Sequence, residues 1–512
     1  MTTFQFAPAN PARSPAATFG QALAARPVAI ALAAFLFVLS PALFKHPAET
    51  GDPVEYLQAA RCVAEQLFCA PHDHWSARWP IFGPTGLLIR WWGESRITLG
   101  LLPLLHGLAA VAFFTATLAR WFGKPVALVG GLLFAATPLI SELAMQLAAD
   151  LVEISFLLAG TYALARAEKG SRTGWLLLAG ALFALAVESR LTAAAAGLLI
   201  AAGLLAARWP LRAFVTIGAG GALVLGASMA AHWLGTGDPL TLYRLSLAHT
   251  QVATTELPVG TDTTGSPFFN LELIRNWRRS VAVHWTVDPL LNLLASPKIG
   301  LSLCAALLVV LLGRSGLKGG SAEARALRLL GAGAVAFLLL TAFALSIHPT
   351  PRMFLPLLAA VIAMLALVVN GSRRDLRPLI LFGLLPLMLA QSYVARALTY
   401  DPADVEQLAE TWLAAEREPV GTDWLTRRHL VLASGVARLS EKAPTAPLQL
   451  LLAPGRCGAS SKRQPGWTVE RSALLHRSQI GIVRLLAAAG VGAGAEQWSL
   501  CLYRTSEASV RA

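Results

Sequence analysis

Charge is what this sequence has least of. Asp, Glu, Lys and Arg make up only 14% of its 512 residues, where an ordinary soluble chain carries about 25%. That shortage argues against a water-soluble enzyme of this length. The hydrophobic share, 55%, excludes disorder for the bulk of the chain. Cysteine is scarce: there are five, with no CxxC pair and no metal-ligand spacing. No internal repeat is visible. Acidic residues (29) are outnumbered by basic ones (42), which leaves a net charge of +13. In a soluble chain that excess would suggest nucleic acid. Here it lies largely in short connections between apolar runs, where it reads as a topology signal and not as a nucleic-acid surface.

What the chain has in quantity is apolar runs long enough to cross a bilayer, each needing about 20 residues; the mean hydropathy is +0.57. The fold class expected is a multi-pass α-helical membrane protein with about eleven transmembrane helices. Candidate spans lie at 27–44, 97–119, 125–141, 149–165, 174–187, 191–207, 213–232, 297–313, 327–347, 353–370 and 378–395. A cleaved signal peptide competes for the first; its length and the spans that follow favour a retained helix. One alternate set of loops holds Arg120 and Lys124, Arg166 and Lys169, Arg208 and Arg212, Arg314 and Lys318, and Arg373 and Arg374. By the positive-inside rule these are cytoplasmic. The segment 1–26 is then cytoplasmic, 27–395 forms the membrane domain, and 396–512 is an extracytoplasmic (periplasmic) tail of the inner membrane.

Two outer loops are large, 45–96 and 233–296. In the first, Val54, Leu57, Ala60, Ala64 and Leu67 recur at helical spacing, which predicts a surface-lying amphipathic helix from Asp52 to Leu67. Trp75, Trp79, Trp91 and Trp92 suit the headgroup level, and in the second loop Trp277, Arg278, Arg279, His284 and Trp285 could also lie along the interface. The tail reads as a small α/β domain, with a helix over Pro402–Glu416 and strands at His429–Leu432, Leu448–Leu452 and Trp498–Tyr503. Cys457 with Cys501, and Cys62 with Cys69, could pair in an oxidising compartment or stay as free thiols. Cys304 reads as packing within a span, and the run Gly490 to Gly494 as a turn.

Acidic residues at a membrane edge are costly and need a reason. Asp52 follows the first span and precedes Pro53, a helix-start pattern; Glu55 and Tyr56 come a turn later. Arg78-Trp79-Pro80-Ile81-Phe82-Gly83-Pro84 combines a cation, an aromatic anchor and two rigid turns, and the arginine suits a lipid phosphate. Glu142 lies in the next outer connection. Asp150 and Glu153 open the following span three residues apart, on one helix face. They require a polar cavity or partners such as Arg190, in Glu188-Ser189-Arg190, or Arg352, in His348-Pro349-Thr350-Pro351-Arg352. Acids facing arginines would bind a phosphate and deprotonate a hydroxyl, the chemistry of glycosyl transfer from a lipid-linked sugar. No metal site is expected, though a divalent ion is left open; His72-Asp73-His74 reads as solvated loop, because adjacent residues rarely fit one ion's geometry.

At these residues the chain resembles the GT-C superfamily of polyprenyl-phosphate-sugar-dependent membrane glycosyltransferases, in the branch of protein O-mannosyltransferases and lipid A aminoarabinose transferases. The resemblance runs over about 25–395. It is carried by Gly51-Asp52-Pro53-Val54-Glu55-Tyr56-Leu57, by Arg78-Trp79-Pro80 through Gly86, by Thr137-Pro138 leading to Asp150, Phe156 and Tyr162, and by Pro351-Arg352-Met353-Phe354-Leu355-Pro356. It departs from the family at Asp52-Pro53, where many members have two acids, and at Arg78, where some have lysine. The resemblance implies an outward-facing cavity, an inverting transfer with Asp52 as base, and Asp150 or Glu153 as the second acidic position. Glu55, Tyr56, Arg78, Glu142, Arg190 and Arg352 are the substrate-binding candidates. The partners expected are a polyprenyl-phosphate-linked sugar, the bilayer, and a lipid, glycan or protein acceptor. Two other classes compete: a transporter or lipid flippase, and a non-catalytic assembly protein. A transporter would be expected to show repeats and ionisable groups near the midplane, whereas these cluster at the outer ends of spans.

Overall fold

The computed structural model describes residues 26–43, 45, 52–167, 172–252, 322–340, 351–371 and 378–398. It also describes 402–505, with breaks at 417, 424–425, 427–429, 431–438, 441–445, 455, 460–465, 476–480 and 489–497. The expected span at 297–313 with Cys304, most of the loop 233–296 with its tryptophans, His348–Thr350, the turn at 490–494, and the strand at 429–432 apart from Leu430 lie outside the described residues.

The first described helix, α1 (Pro27–Leu39), starts on a proline, whose missing N–H costs nothing in a first turn. Helix α2 (Asp52–Gln66) is the amphipathic segment; it buries Tyr56, Leu57, Ala60 and Val63. It stops at Leu67, whose φ of 64° is left-handed, and the disulfide Cys62–Cys69 closes the chain around that stop.

The structure corrects the reading of the next segment. Trp79–Trp92 is a helix, α3, not a pair of rigid turns. Pro80 sits in its first turn, where proline is tolerated, and Gly86 lies so close to the Ala60 carbonyl of α2 that a Cβ there would collide. Close packing of two helices, not a turn, requires that glycine.

Helix α4 (Arg96–Phe122) begins with a reciprocal Ser95–Thr98 cap: the Thr98 N–H donates to Ser95 Oγ at 3.2 Å, and the Ser95 N–H to Thr98 Oγ1 at 2.8 Å. The expected span at 125–141 is broken into α5 (Lys124–Ala135) and α6 (Pro138–Leu143), because a proline disfavours helix at the residue before it. Then follow α7 (Ala149–Arg166), α8 (Thr173–Ser189), α9 (Ala193–Ala206), α10 (Leu211–Thr236), α11 (Thr241–Val252) and α12 (Ala322–Leu339). A 3-10 turn at Pro351–Phe354 leads into α13 (Leu355–Gly371), and a π turn at Leu379–Leu384 into α14 (Leu385–Leu398).

Among the described residues, four helices are long and apolar enough to cross a membrane: Arg96–Phe122, Leu211–Thr236, Arg352–Gly371 and Leu379–Leu398. Shorter apolar helices are α1, α5, α8 and α9. Helix α13 is buried along nearly its whole length, in a core shared with Phe35 of α1, Phe114 of α4, Phe134 of α5 and Ile154 of α7. Helices α8 and α10 cross where Gly180 and Gly220 each lie against the other's backbone, an approach open only to small residues.

The tail is built on α15 (Pro402–Ala414) and a five-stranded sheet of β1 (Val420–Thr422), β2 (Leu439–Ser440), β3 (Leu448–Pro454), β4 (Thr468–Leu474) and, after α16 (Gly481–Ala488), β5 (Trp498–Arg504). The order is β2-β1-β3-β5-β4; β1 runs parallel to β2 and β3, and β5 antiparallel to β3 and β4. One face carries Val405, Ala409 and Trp412 of α15 over Leu448, Leu450 and Leu500. The other carries Trp467, Tyr503 and the disulfide Cys457–Cys501. Val483 of α16 packs on Val394 and Ala397, so the tail rests on the end of α14.

Candidate functional site

Three connections at one end of the helices converge. Asp52 opens α2, Asp150 stands in the first turn of α7, and Arg352 lies in the 3-10 turn that starts α13. Arg352 Nη2 is 2.5 Å from Asp52 Oδ2, and its Nε is 3.6 Å from Asp150 Oδ2. Arg190, the residue that ends α8, hydrogen-bonds the other oxygen of Asp150. The result is an alternating chain, Asp52–Arg352–Asp150–Arg190, assembled from four separate parts of the sequence.

Burial grades along that chain. The Asp150 side chain is 2% exposed, Arg190 14%, Arg352 33% and Asp52 30%. Asp150 is therefore the enclosed anchor, neutralised by two guanidinium groups, as a buried carboxylate must be. Asp52 and Arg352 are the pair that solvent reaches. Burial pushes the Asp52 carboxyl up, but Arg352 and Arg190 outweigh it and hold the group below the usual carboxylate value. Burial first, then repulsion from Arg352 and Arg78, lowers Arg190 to about 9, which leaves it charged at neutral pH.

Arg78 caps the start of α3 and donates from Nη1 to the Tyr56 hydroxyl at 2.8 Å. Burial raises the Tyr56 phenol above its ordinary value, so it stays neutral. Arg78 thus donates to a neutral phenol and keeps its charge available to an anion. Its field reaches Asp52, Tyr56 and Arg190. Glu153 shares the Asp150 face of α7 but does not join the ion pairs; it is buried and accepts a hydrogen bond from Thr192 at 3.1 Å. Glu55 is half-buried one turn beyond Asp52.

Two of the expected edge acids go elsewhere. Glu142, at the end of α6, stands 3.9 Å from Arg396 of α14. Lys45 donates to the carbonyls of Arg396 and Ala397 at 3.3 Å, so it covers the last turn of α14. Glu188 accepts from Ser228 of α10 at 2.7 Å, and its Oε1 is buried without a partner among the described residues. Of His72-Asp73-His74, Asp73 is used in a turn, accepting from the Ser76 N–H and hydroxyl at 2.7 Å. Among the described residues no group of three His, Cys, Asp or Glu is placed to hold a metal ion. Thr192, at the start of α9, and Ser228, inside α10, hold the two buried glutamates and carried no signal in the sequence.

Residues 86–233 match the model of the family described as dolichyl-phosphate-mannose-protein mannosyltransferase. That stretch contains Asp150, Glu153 and Arg190; Asp52, Arg78 and Arg352 fall outside it. The chain resembles GT-C glycosyltransferases of this branch. Solved structures similar to it include ArnT from Cupriavidus metallidurans in the apo state, at 17% identity and a TM-score of 0.41, over 83% of this chain and 74% of that one. ArnT from the same organism bound to undecaprenyl phosphate aligns at 15% identity and 0.46, over 95% and 98%. The archaeal oligosaccharyltransferase AglB from Archaeoglobus fulgidus, in complex with an inhibitory peptide and a dolichol-phosphate, aligns at 12% identity and 0.43, over 82% and 64%. No curated protein sequence matches the chain.

Proposed function

We propose that this chain is a membrane glycosyltransferase that moves a sugar from a polyprenyl-phosphate donor to a cell-envelope acceptor on the outer side of the inner membrane. The reading rests on one observation above all: a solvent-reached carboxylate, Asp52, lies against guanidinium groups at one end of the helices. The family match over 86–233 supports the reaction class. ArnT has been solved with undecaprenyl phosphate and AglB with a dolichol-phosphate, which is the donor chemistry proposed.

In this mechanism the donor phosphate enters beside Arg78, Arg190 and Arg352 and competes with Asp52 for Arg352. Loss of that cation makes Asp52 a stronger base. The Asp52 carboxylate takes the proton of the acceptor hydroxyl while the hydroxyl oxygen attacks the anomeric carbon. The bond from that carbon to the phosphate oxygen breaks on the opposite face, with inversion. The bonding electrons leave with the polyprenyl phosphate, whose charge the arginines hold. Asp150 fixes Arg190 and Arg352 in position and touches neither substrate.

The same reading places eleven spans with the N-terminus in the cytoplasm. Loops 45–96 and 233–296 and the α/β tail 396–512 lie outside. Arg120, Arg166 and Arg172 sit at the ends of α4, α7 and α8 away from the site, as positive-inside loops require. The test is mass spectrometry of envelope lipids and glycans from cells lacking the chain. Loss of one sugar decoration supports the proposal and names donor and acceptor; an unchanged envelope with altered solute uptake points to a transporter.

A further inference from the structure

The α/β tail has the composition of a domain outside the membrane, yet one of its helices lies at the level of the bilayer. The apolar helix Leu379–Leu398, which ends in α14, has 20 residues. At about 1.5 Å per residue it is about 30 Å long, the thickness of a hydrocarbon core. Leu398 therefore marks the edge of that core, just before the tail begins. Val483 and Leu486 of α16 pack in one cluster with Tyr393, Val394, Ala397 and Leu398. Tyr393 stands five residues before Leu398, so α16 is held against the outermost ~8 Å of the spanning helix. The neighbouring surface already faces lipid: Tyr393 stacks on Phe37 of the apolar helix α1, ring centroids 5.2 Å apart, and Phe37 is 56% exposed.

Helix α16 is amphipathic in a way that this contact does not use up. At about 100° per residue, Leu485, Ile482, Leu486 and Val483 follow one another over about 160° of its circumference, and Arg484 stands opposite the middle of that arc. Half of the arc meets protein: Val483 is fully buried and Leu486 half-buried. The other half does not, for Ile482 is 59% and Leu485 66% exposed. Arg484 is exposed as well. A helix lying in a membrane surface buries its apolar face about 5–10 Å into the boundary between headgroups and acyl chains, with its cations on the polar side. The depth at which α14 holds α16 and the continuation of its apolar arc beyond α14 both match that placement.

We propose that α16 is an interfacial anchor of the tail: Ile482 and Leu485 enter the leaflet beside α14, and Arg484 stays among headgroups and water. The occupant of the exposed half of the arc is lipid. The anchor needs only that α14 spans the bilayer and is independent of the transfer reaction.

The test places a nitroxide label in turn at Ile482→Cys, Leu485→Cys, Arg484→Cys and, as a lipid-facing reference, Phe37→Cys. The full chain carries Cys304→Ser, and the two disulfides keep the other four cysteines from the label. In vesicles of phosphatidylethanolamine and phosphatidylglycerol, collisions with oxygen should exceed those with a water-soluble nickel chelate at 482 and 485, as at 37, and the order should reverse at 484. A nickel excess at 482 and 485 means water contact and overturns the proposal. Exclusion of both reagents there also overturns it, because another part of the chain or a second copy then covers the face. The unsubstituted chain decides if a variant does not fold: a phospholipid carrying a diazirine high in its acyl chain should mark Ile482 or Leu485, and absence of label in α16 overturns the proposal.

Discussion

Arg352 and Asp52 stand 300 residues apart in the chain and meet at 2.5 Å. The arginine also approaches Asp150, which Arg190 holds from the opposite side. One guanidinium therefore joins an exposed carboxylate to a buried one. On the proposed mechanism it is also what the donor phosphate must take from Asp52.

Replacing Arg352 separates donor from acceptor. Arg352→Ala should raise the KM for the lipid donor by about tenfold or more and leave the acceptor KM nearly unchanged. Arg352→Lys should recover little, because a single ammonium cannot span two carboxylates as the planar fork does. The stability change should be small, since both Arg352 and Asp52 are about one-third exposed. Initial-rate measurements with each substrate varied in turn check this; equal effects on both would remove the phosphate role.

The acid side of the pH profile should move with Arg352. The Asp52 carboxyl lies below 3.8, the unperturbed aspartate value, in the intact protein. A depressed folded value means that the Asp52 contribution to stability is present above the unfolded value and is lost as pH falls through the folded one. By the same sign, kcat/KM should hold through the ordinary aspartate range and fall only below it. In Arg352→Ala the strongest of the attractions is gone while burial remains, so the acid limb should shift to higher pH. A profile unmoved by the substitution contradicts this coupling.

Asp150→Ala should destabilise, whereas changes at Asp52 should not. It leaves Arg190, 14% exposed, without its carboxylate. Breaking a buried pair from one side costs about 3–5 kcal/mol. Thermal unfolding in detergent should show a large fall in midpoint for Asp150→Ala and little for Asp52→Asn. Equal midpoints would mean that Asp150 is not the anchor.

The cysteines report on the side of the membrane. Cys62 with Cys69, and Cys457 with Cys501, form disulfides in α2 and in the tail. If both regions face an oxidising periplasm, all four should resist alkylation in whole cells until a reductant is added. Cys501→Ser should lower the stability of the tail by about 2–4 kcal/mol. Free thiols at both pairs in untreated cells would contradict the proposed topology.

Much of this arrangement was legible in the sequence, for physical reasons. Lipid imposes long apolar runs, so the described apolar helices overlap the segments expected, although 125–141 breaks before Pro138. Acids at a membrane edge need partners, so Asp52, Asp150, Arg190 and Arg352 stood out as residues that should meet. Glu142 and Glu188, in neighbouring outer connections, meet Arg396 and Ser228 instead, because an edge carboxylate can as well be satisfied there. Helix α3 was hidden by its prolines and glycines, which usually signal turns but here permit a close crossing with α2. Strands β1 and β2, of three and two residues, are too short to show alternation, and β4 is a largely exposed edge. Which arginine meets which acid depends on tertiary contacts that no local pattern encodes.

The most direct test of Asp52 as the base is sugar transfer by Asp52→Asn in the purified protein, with a polyprenyl-phosphate sugar and the acceptor identified from the envelope comparison. Asparagine keeps the shape and cannot take the proton, so turnover should fall by about 10²–10⁴-fold, with unfolding unchanged and donor still bound. Turnover within a few-fold of wild type would contradict the account.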